Sequence, residues 1–273
     1  MSPSRFDAAV YAHRLRAAAE AAADAGLAGL VITPGYDLRY LIGSRAETFE
    51  RLTALVVPTS GEPTVVLPRL ELASLKQSAV VDLGVSVRDW VDGEDPYAVV
   101  VDALGGSPVA TAVTDAMPAL HLLPLTAQLG VLPVLATDVL RTLRMIKDPD
   151  EIEALRRAGA ANDRVHARVP EFLVPGRTEA EVAADIDEAI VAEGHSSAAF
   201  IIVGSGPHGA DPHHEVSDRV LQAGDIIVVD IGGPVEPGYN SDSTRTYSLG
   251  DPKSEVAEHY SILQRAQRAA VDA

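Results

Sequence analysis

The 273-residue chain carries 39 acidic residues against 22 basic ones, which gives a formal net charge of −17. Such a charge repels phosphate backbones and anionic lipid surfaces, so nucleic acid and membrane are excluded as expected partners. A hydrophobic content of 47% and a charged content of 22% are typical of a globular protein with one large or two medium domains. No cysteine occurs, which excludes disulfides and thiolate metal sites. The N-terminus lacks the pattern of a secretion signal and no apolar run approaches ~20 residues, so we predict a cytoplasmic protein.

Helical and extended patterns alternate along the first half of the chain. Apolar spacing predicts a helix over residues 6–25 that ends at Gly26, followed by a buried strand over residues 27–33. A helical turn is predicted next, over residues 36–41. Two strands over residues 54–58 and 64–67 are joined by the turn Ser60-Gly61-Glu62-Pro63, and a helix is predicted over residues 99–104. This alternation predicts an α/β layered domain with a largely buried sheet.

A domain boundary is predicted next to Pro149. Proline disfavours helix in the residue before it, and the acids that follow suit the start of a helix, which we expect to run to about Val169. Thr178 and Glu181 have the spacing of a capping box, which predicts a second helix that ends at Gly194.

The most informative stretch is a predicted hairpin with two aspartates. A β-branched run ends in Asp230, which we expect at the exit of a strand. Gly232-Gly233-Pro234 and Pro237-Gly238 are expected to reverse the chain before a strand that carries Asp242. Antiparallel neighbours can bring the two carboxylates together, and a divalent cation such as Mn²⁺, Co²⁺ or Zn²⁺ would remove their repulsion. The alternative is that both aspartates merely flank a turn, where Asp is common.

Three stretches of the sequence resemble one family. The pattern VVDIGG…GYNSDSTRT resembles the creatinase, aminopeptidase P and prolidase group of metallopeptidases, the pita-bread enzymes. The upstream stretch IIVGSGPHGADPHHEVSDRVLQAGD resembles the approach to their site, with the family's histidine at His213, and AGLAGLVITPGYDLRYLIG is similar to their N-terminal domain. The resemblance implies a ribonuclease-H-like α/β N-terminal domain over residues 1–145. An α+β pita-bread domain, incomplete in this chain, would follow over residues 146–273.

The resemblance also implies an activity. It is that of a metal-dependent exopeptidase, an Xaa-Pro dipeptidase or aminopeptidase, which hydrolyses the bond before proline in dipeptides or peptides and works as a homodimer. Asp230 would bind one of two divalent ions, with Mn²⁺ favoured over Co²⁺ or Zn²⁺, and Asp242 would bridge both. His213 would be the catalytic histidine, which steadies the developing oxyanion or moves a proton.

Other polar residues receive supporting roles. His214, Arg219 and Arg245 are predicted to bind substrate or to hold the ligand aspartates in place. Arg245 follows Asp242 by three on a strand, so we expect it on the opposite face. His208 is interpreted as structural, and Asp225 as part of a turn.

One departure from the family pattern concerns the rest of the metal site. The resemblance implies a further histidine and two glutamates from the second half of the catalytic domain, and no HGxGH-like segment follows the hairpin. The stretch after it predicts an amphipathic helix with Val256, Tyr260 and Leu263 facing inward. Three interpretations follow: an exopeptidase that is weak or inactive as the bare chain, a non-catalytic relative that binds peptides or proteins, or an excerpt of a longer protein.

Overall fold

The computed structural model describes residues 5–47, 50–106 and 110–273. These residues form two compact units, one up to Asp148 and the other from Pro149 onward. Within the described residues, no helix combines the length and the apolar composition that crossing a bilayer requires.

The N-terminal unit is built on a mixed sheet. Its strands are β1 (Gly29–Ile32), β2 (Ala54–Pro58), β3 (Thr64–Pro68), β4 (Ser86–Trp90), β5 (Thr111–Val113) and β6 (Val134–Leu135). They lie in the order β4-β3-β2-β1-β5-β6, in which β2 is antiparallel to both of its neighbours and the remaining pairs are parallel. The helices are α1 (Ala8–Asp24), α2 (Tyr36–Ile42), α3 (Val80–Leu83), α4 (Pro96–Ala103), α5 (Ala119–Leu129) and α6 (Thr137–Met145), with a 3₁₀ helix at Arg69–Gln77.

Helices cover both faces of this sheet. Successive residues of a strand point to opposite faces, and here Leu30 and Ile32 pack with α1, α2 and α6, whereas Val31 packs with α4 and α5. Strands β1, β2 and β3 are buried along their whole length. The predicted α/β layers and buried sheet are therefore confirmed, and the helix predicted over residues 6–25 appears as α1, with Gly26 at a φ of 69° just beyond it.

The C-terminal unit packs two helices against a three-stranded antiparallel sheet. Its elements are α7 (Pro149–Phe172), α8 (Glu179–Ala192), β7 (Phe200–Ser205), a 3₁₀ helix at Gly206–Ala210, β8 (Ile226–Val235), β9 (Tyr239–Ser248) and α9 (Ser254–Val271). The strand order is β7-β8-β9. One face of β8, formed by Ile227, Val229 and Ile231, is buried against α7 and α8. The predicted capping box forms at the start of α8, where Thr178 and Glu181 exchange hydrogen bonds of 3.2 and 2.8 Å.

The hairpin differs from the prediction in where it turns. Strand β8 has ten residues and continues to Val235, so Asp230 lies in its middle and not at its exit. Gly232 and Gly233 do not reverse the chain. A Cβ atom at either position would lie 2.3 Å from a carbonyl oxygen, that of Ser241 or Ser197 respectively. These glycines permit the close approach of neighbouring backbone. Glycine serves both this purpose and tight turns, so the sequence pattern alone does not distinguish the two.

The last helix also differs from the prediction. Helix α9 forms where it was expected, but none of its residues is buried. Tyr260 and Leu263, expected to face inward, are 37% and 59% exposed. Amphipathic spacing gives a helix an apolar face without specifying what that face packs against.

Candidate metal site on the hairpin

The register of the hairpin places both aspartates on one face of the sheet. Asp230 pairs with Thr244 across the strands, and Asp242 pairs with Gly232. Because Asp230 and Gly232 are two residues apart on β8, they share a face, and the partner of Gly232 shares it as well. Asp230 and Asp242 are therefore diagonal neighbours, whose backbones in such sheets lie roughly 7–8 Å apart, within reach of two carboxylates that converge on an ion.

This face of the hairpin is open, unlike the face that packs on the helices. Asp242 is exposed and Asp230 is half-buried. Asp230 accepts a hydrogen bond of 2.8 Å from the Thr244 hydroxyl. Within residues 5–47, 50–106 and 110–273, neither carboxylate forms a salt bridge with a basic side chain. Two unpaired carboxylates on one face are an oxygen donor set that fits hard or borderline divalent cations.

A second cluster lies beyond the end of β7 and surrounds Glu179, the first residue of α8. The Glu179 side chain has no exposed surface. Its carboxylate accepts hydrogen bonds from the Ser205 backbone N–H at 2.8 Å, the Ser205 hydroxyl at 2.6 Å and the Ser217 hydroxyl at 2.7 Å. The rings of His208 and His214 donate at 3.1 and 2.8 Å. One buried anion thus joins a strand end, a helix start and the loop between β7 and β8.

The charge of Glu179 is stabilised by these bonds. Burial by itself raises the pKa of a carboxyl, but the hydrogen bonds from Ser205, Ser217 and His214 outweigh burial and lower the pKa of Glu179 to about 2. The ligand atoms of Glu179, His208 and His214 lie within 4.8 Å of one another, so they could also hold a metal ion. An ion there would have to replace the hydrogen bonds that both imidazoles now donate to the carboxylate.

Arg219 belongs to the edge of this second cluster. Its guanidinium donates to the Ser205 hydroxyl at 2.5 Å and to both carboxylate oxygens of Asp225 at 2.7 and 3.0 Å. The hydrogen bond from Arg219 lowers the pKa of Asp225. Asp225 therefore does more than form a turn, because it holds Arg219 against the loop.

The predicted histidines lie side by side in that loop and have different surroundings. His213 is exposed, and its backbone N–H donates to the Asp211 carboxylate at 3.0 Å. His214 is directed at Glu179 and lies against His208, with ring centroids 4.3 Å apart. The loop is therefore anchored through His214 and presents His213 to solvent.

Arg245 lies on the face of β9 opposite to Asp242, as its spacing predicted. It pairs across the strands with Val229, whose side chain is buried against the helices. Its guanidinium lies 3.4 Å from the Asp163 carboxylate on α7, at an exposed position.

Glu179 is the residue that sequence reasoning missed. It stands between Thr178 and Glu181 at a helix start, where acids are common for electrostatic reasons, so no local pattern marks it as buried. Its partners are 26 to 38 residues away in the chain. The only sequence signal is the concentration of Ser, His and Arg in the loop after β7, and that signal does not name their common acceptor.

Comparisons with known proteins match both halves of the chain. A model of the creatinase/prolidase N-terminal domain matches residues 14–146, and a model of metallopeptidase family M24 matches residues 153–273. A probable dipeptidase PepE of Mycobacterium tuberculosis is 76% identical over 273 residues, which are 100% of this chain and 73% of that protein.

Solved structures are similar over almost the whole chain. The crystal structure of dipeptidase PepE from Mycobacterium ulcerans has a TM-score of 0.94 at 78% identity, over 98% of this chain and 72% of that one. A prolidase from Thermococcus sibiricus has a TM-score of 0.85 at 33% identity, over 97% and 72% of the two chains. The predicted combination of a creatinase-type N-terminal domain with a pita-bread domain is confirmed. The chain belongs to metallopeptidase family M24 and is a peptidase of the dipeptidase and prolidase type.

Proposed function

We propose that this peptidase binds two divalent cations through Asp230 and Asp242 and hydrolyses the bond that precedes proline in dipeptides or short peptides. The observation that carries the proposal is the placement of two carboxylates on one open strand face, without a basic partner among the described residues. Like charges so arranged repel each other, and a cation between them converts that repulsion into attraction. Mn²⁺ is the proposed ion because its preferred ligands are carboxylate oxygens.

The chain's own groups divide the work of the site. When bound, the ions would lower the pKa of a water molecule and polarise the peptide carbonyl. Thr244 orients Asp230 through its hydroxyl, since that hydrogen bond fixes one carboxylate oxygen. His213 is exposed on an anchored loop, where its imidazole could donate a proton to the leaving nitrogen or steady the oxyanion.

The remaining residues are assigned supporting roles. His214 and Arg219 are proposed to position the loop through Glu179 and Asp225, because their polar atoms are already engaged there. Arg245 is proposed to brace β9 from the opposite face. The domain limits 1–145 and 146–273, a homodimeric state and a cytoplasmic location remain proposals; light scattering in solution tests the dimer and cell fractionation the location.

The test of the function combines metal binding and hydrolysis. The purified protein is titrated with Mn²⁺ by calorimetry and assayed against Ala-Pro and Ala-Ala dipeptides, beside the variant Asp242→Ala. We expect weak, Mn²⁺-dependent hydrolysis of Ala-Pro in preference to Ala-Ala, because the two aspartates are only part of the metal site that the family resemblance implies. In the variant, both binding and hydrolysis should be lost.

Each departure from that result has a distinct meaning. Equal hydrolysis of Ala-Ala would contradict the specificity for proline. Unchanged Mn²⁺ affinity in Asp242→Ala would contradict the metal assignment. Tight metal binding without turnover of any dipeptide would favour the non-catalytic, peptide-binding alternative.

A further inference from the structure

The back face of the hairpin is the face opposite Asp230 and Asp242, which packs toward α7 and α8. Along β8 this packing is apolar, whereas along β9 polar side chains form hydrogen bonds to it. Ser241 and Ser243 stand on either side of Asp242 in β9, and the pleat of the strand turns them toward the helices while Asp242 faces the opposite way. Three side chains from outside the sheet bind at this back face: Asn162 and His166 of α7, and His195 after α8.

Asn162 connects both strands at once. It is 1% exposed, and its amide nitrogen donates to the Ile231 carbonyl oxygen at 3.1 Å and to the Ser243 hydroxyl at 2.7 Å. Ile231 and Ser243 face each other directly across the strands. Ile231 follows Asp230 in the chain and Ser243 follows Asp242, so one amide group ties together the residues next to both carboxylates.

The chemistry of the acceptors fixes the orientation of this amide. A backbone carbonyl only accepts hydrogen bonds, so the Asn162 atom that faces the Ile231 carbonyl must be the amide nitrogen. The Asn162 amide oxygen is buried and finds no hydrogen-bond partner among the described residues. In this orientation the amide nitrogen forms two hydrogen bonds, and the amide oxygen pays the free-energy cost of a buried acceptor without a partner.

The two histidines hold the flanking serines. His166 donates from Nε2 to the Ser243 carbonyl oxygen at 3.0 Å, and its Nδ1 lies 2.9 Å from the Tyr247 hydroxyl oxygen. His195 donates from Nδ1 to the Ile190 carbonyl oxygen at 3.1 Å, so its Nε2 accepts from the Ser241 hydroxyl at 2.8 Å. Burial lowers the pKa of both histidines, which keeps them neutral and preserves this donor and acceptor pattern at neutral pH.

We propose that Asn162 is a positioning residue that sets the separation of the Asp230 and Asp242 carboxylates for metal binding. This inference rests on the proposed function, because it requires that the two aspartates bind the ions. The hydrogen bonds of Asn162 reach Ile231 and Ser243, so its effect is transmitted to the carboxylates through these two neighbours of Asp230 and Asp242. The contact network around a metal ligand commonly changes metal affinity by 10–100-fold when one of its members is removed.

The experiment compares Asn162→Asp and Asn162→Leu with the parent protein. Both variants keep the branching of the side chain and its four non-hydrogen atoms, and both remove its N–H donors. The aspartate also adds a charge that repels the Ile231 carbonyl. Mn²⁺ affinity is measured by calorimetry well below the thermal midpoint of every variant, with circular dichroism as the check of folding. We expect the dissociation constant to rise by about 10–100-fold. Asp187→Asn, an exchange of the same two residue types at an exposed position of α8, should leave it unchanged.

A second variant keeps the test decisive if Asn162 variants do not fold. Ser243→Ala removes the 2.7 Å contact from the other side, at a residue that is only half-buried, and should weaken Mn²⁺ binding severalfold. Folded variants that bind Mn²⁺ within twofold of the parent would overturn the inference. If Asp242→Ala also binds normally, the metal assignment itself has failed; if Asp242→Ala loses binding while Asn162 and Ser243 variants do not, only the positioning role has failed.

Discussion

The two carboxylate clusters of the C-terminal unit differ in how their oxygens are satisfied. Glu179 is fully buried, and serine and histidine donors occupy both of its oxygens. Asp230 and Asp242 lie on an open strand face, where Thr244 supplies the one side-chain hydrogen bond seen among the described residues. A carboxylate whose hydrogen bonds are complete stabilises the fold, whereas a carboxylate pair left open is available to a cation.

The largest expected effect is the loss of stability on replacing the buried anion. Glu179→Gln exchanges one acceptor oxygen for an NH₂ group. The serine and histidine donors that now bind that oxygen, either on the Ser205 side or on the Ser217 side, lose their acceptor. We expect the free energy of unfolding to fall by about 3–5 kcal/mol, the range for breaking a buried charged network. Urea denaturation followed by circular dichroism measures it.

The matched control is the same exchange type on the open face. Asp242→Asn removes a charge that has no basic partner among the described residues, so the free energy of unfolding should change by less than about 0.5 kcal/mol, or rise. Equal destabilisation by both variants would abolish the distinction between the two clusters.

The pH dependence of stability sharpens the same distinction. The pKa of Glu179 is about 2 in the folded protein, below its ordinary value of 4.5. Its contribution to stability is therefore complete above pH 4.5 and is lost as pH falls toward 2, because the unfolded chain takes up the proton first. A shift of this size corresponds to about 3 kcal/mol.

Urea titrations between pH 6 and pH 2 test this dependence against Glu179→Gln. The difference in unfolding free energy between parent and variant should shrink across that interval. A difference that stays constant with pH would show that the folded protein does not hold the carboxylate ionised.

A smaller effect is expected where the backbone approaches the open face. A Cβ atom at Gly232 would lie 2.3 Å from the Ser241 carbonyl oxygen and 2.9 Å from the Phe200 ring. Gly232→Ala should lower the free energy of unfolding by about 1–3 kcal/mol, as overpacking does. Gly159→Ala, inside α7 with nothing within 4 Å of the added atom, should instead raise it by about 0.5–1 kcal/mol. Thermal denaturation of the pair tests both signs.

The smallest expected effect concerns the single hydrogen bond on the open face. Thr244→Val keeps the shape of the side chain and removes the hydroxyl that donates to Asp230. A hydrogen bond to a charged group contributes about 1.5–3 kcal/mol, and the low end of that range applies at an exposed site, so Mn²⁺ affinity should fall by about tenfold. Calorimetric titration with Mn²⁺ measures this, and a larger loss would mean that Thr244 contacts the ion itself.

Local signals predicted most of the elements, because their physical causes are local. The capping pair Thr178 and Glu181, the helix ending before Gly26 and the strand pair around residues 60–63 all depend on residues close together in the chain. A hairpin that carries Asp230 and Asp242 on neighbouring strands was also predictable, because a strand pattern fixes which side chains share a face once the register is known. Their role as metal ligands remains a prediction.

The predictions that were wrong, and the residues that were missed, concern contacts between segments distant in sequence. Gly232 and Gly233 serve close packing in the middle of the sheet, and α9 has an apolar face that the described residues do not bury. The hydrogen bonds that Glu179 accepts and those that Asn162 donates to two strands likewise join segments that lie far apart along the chain.

The amino-acid sequence by itself determined most of the helices and strands, the family, and the two acids of the hairpin, since periodicity, capping residues and motif spacing are properties of residues that are close together in the chain. Only the tertiary structure decided which carboxylate is buried and satisfied and which pair remains open. That outcome depends on which donors the fold brings within hydrogen-bond distance, and the cost of burying an unpaired charge makes that placement decisive.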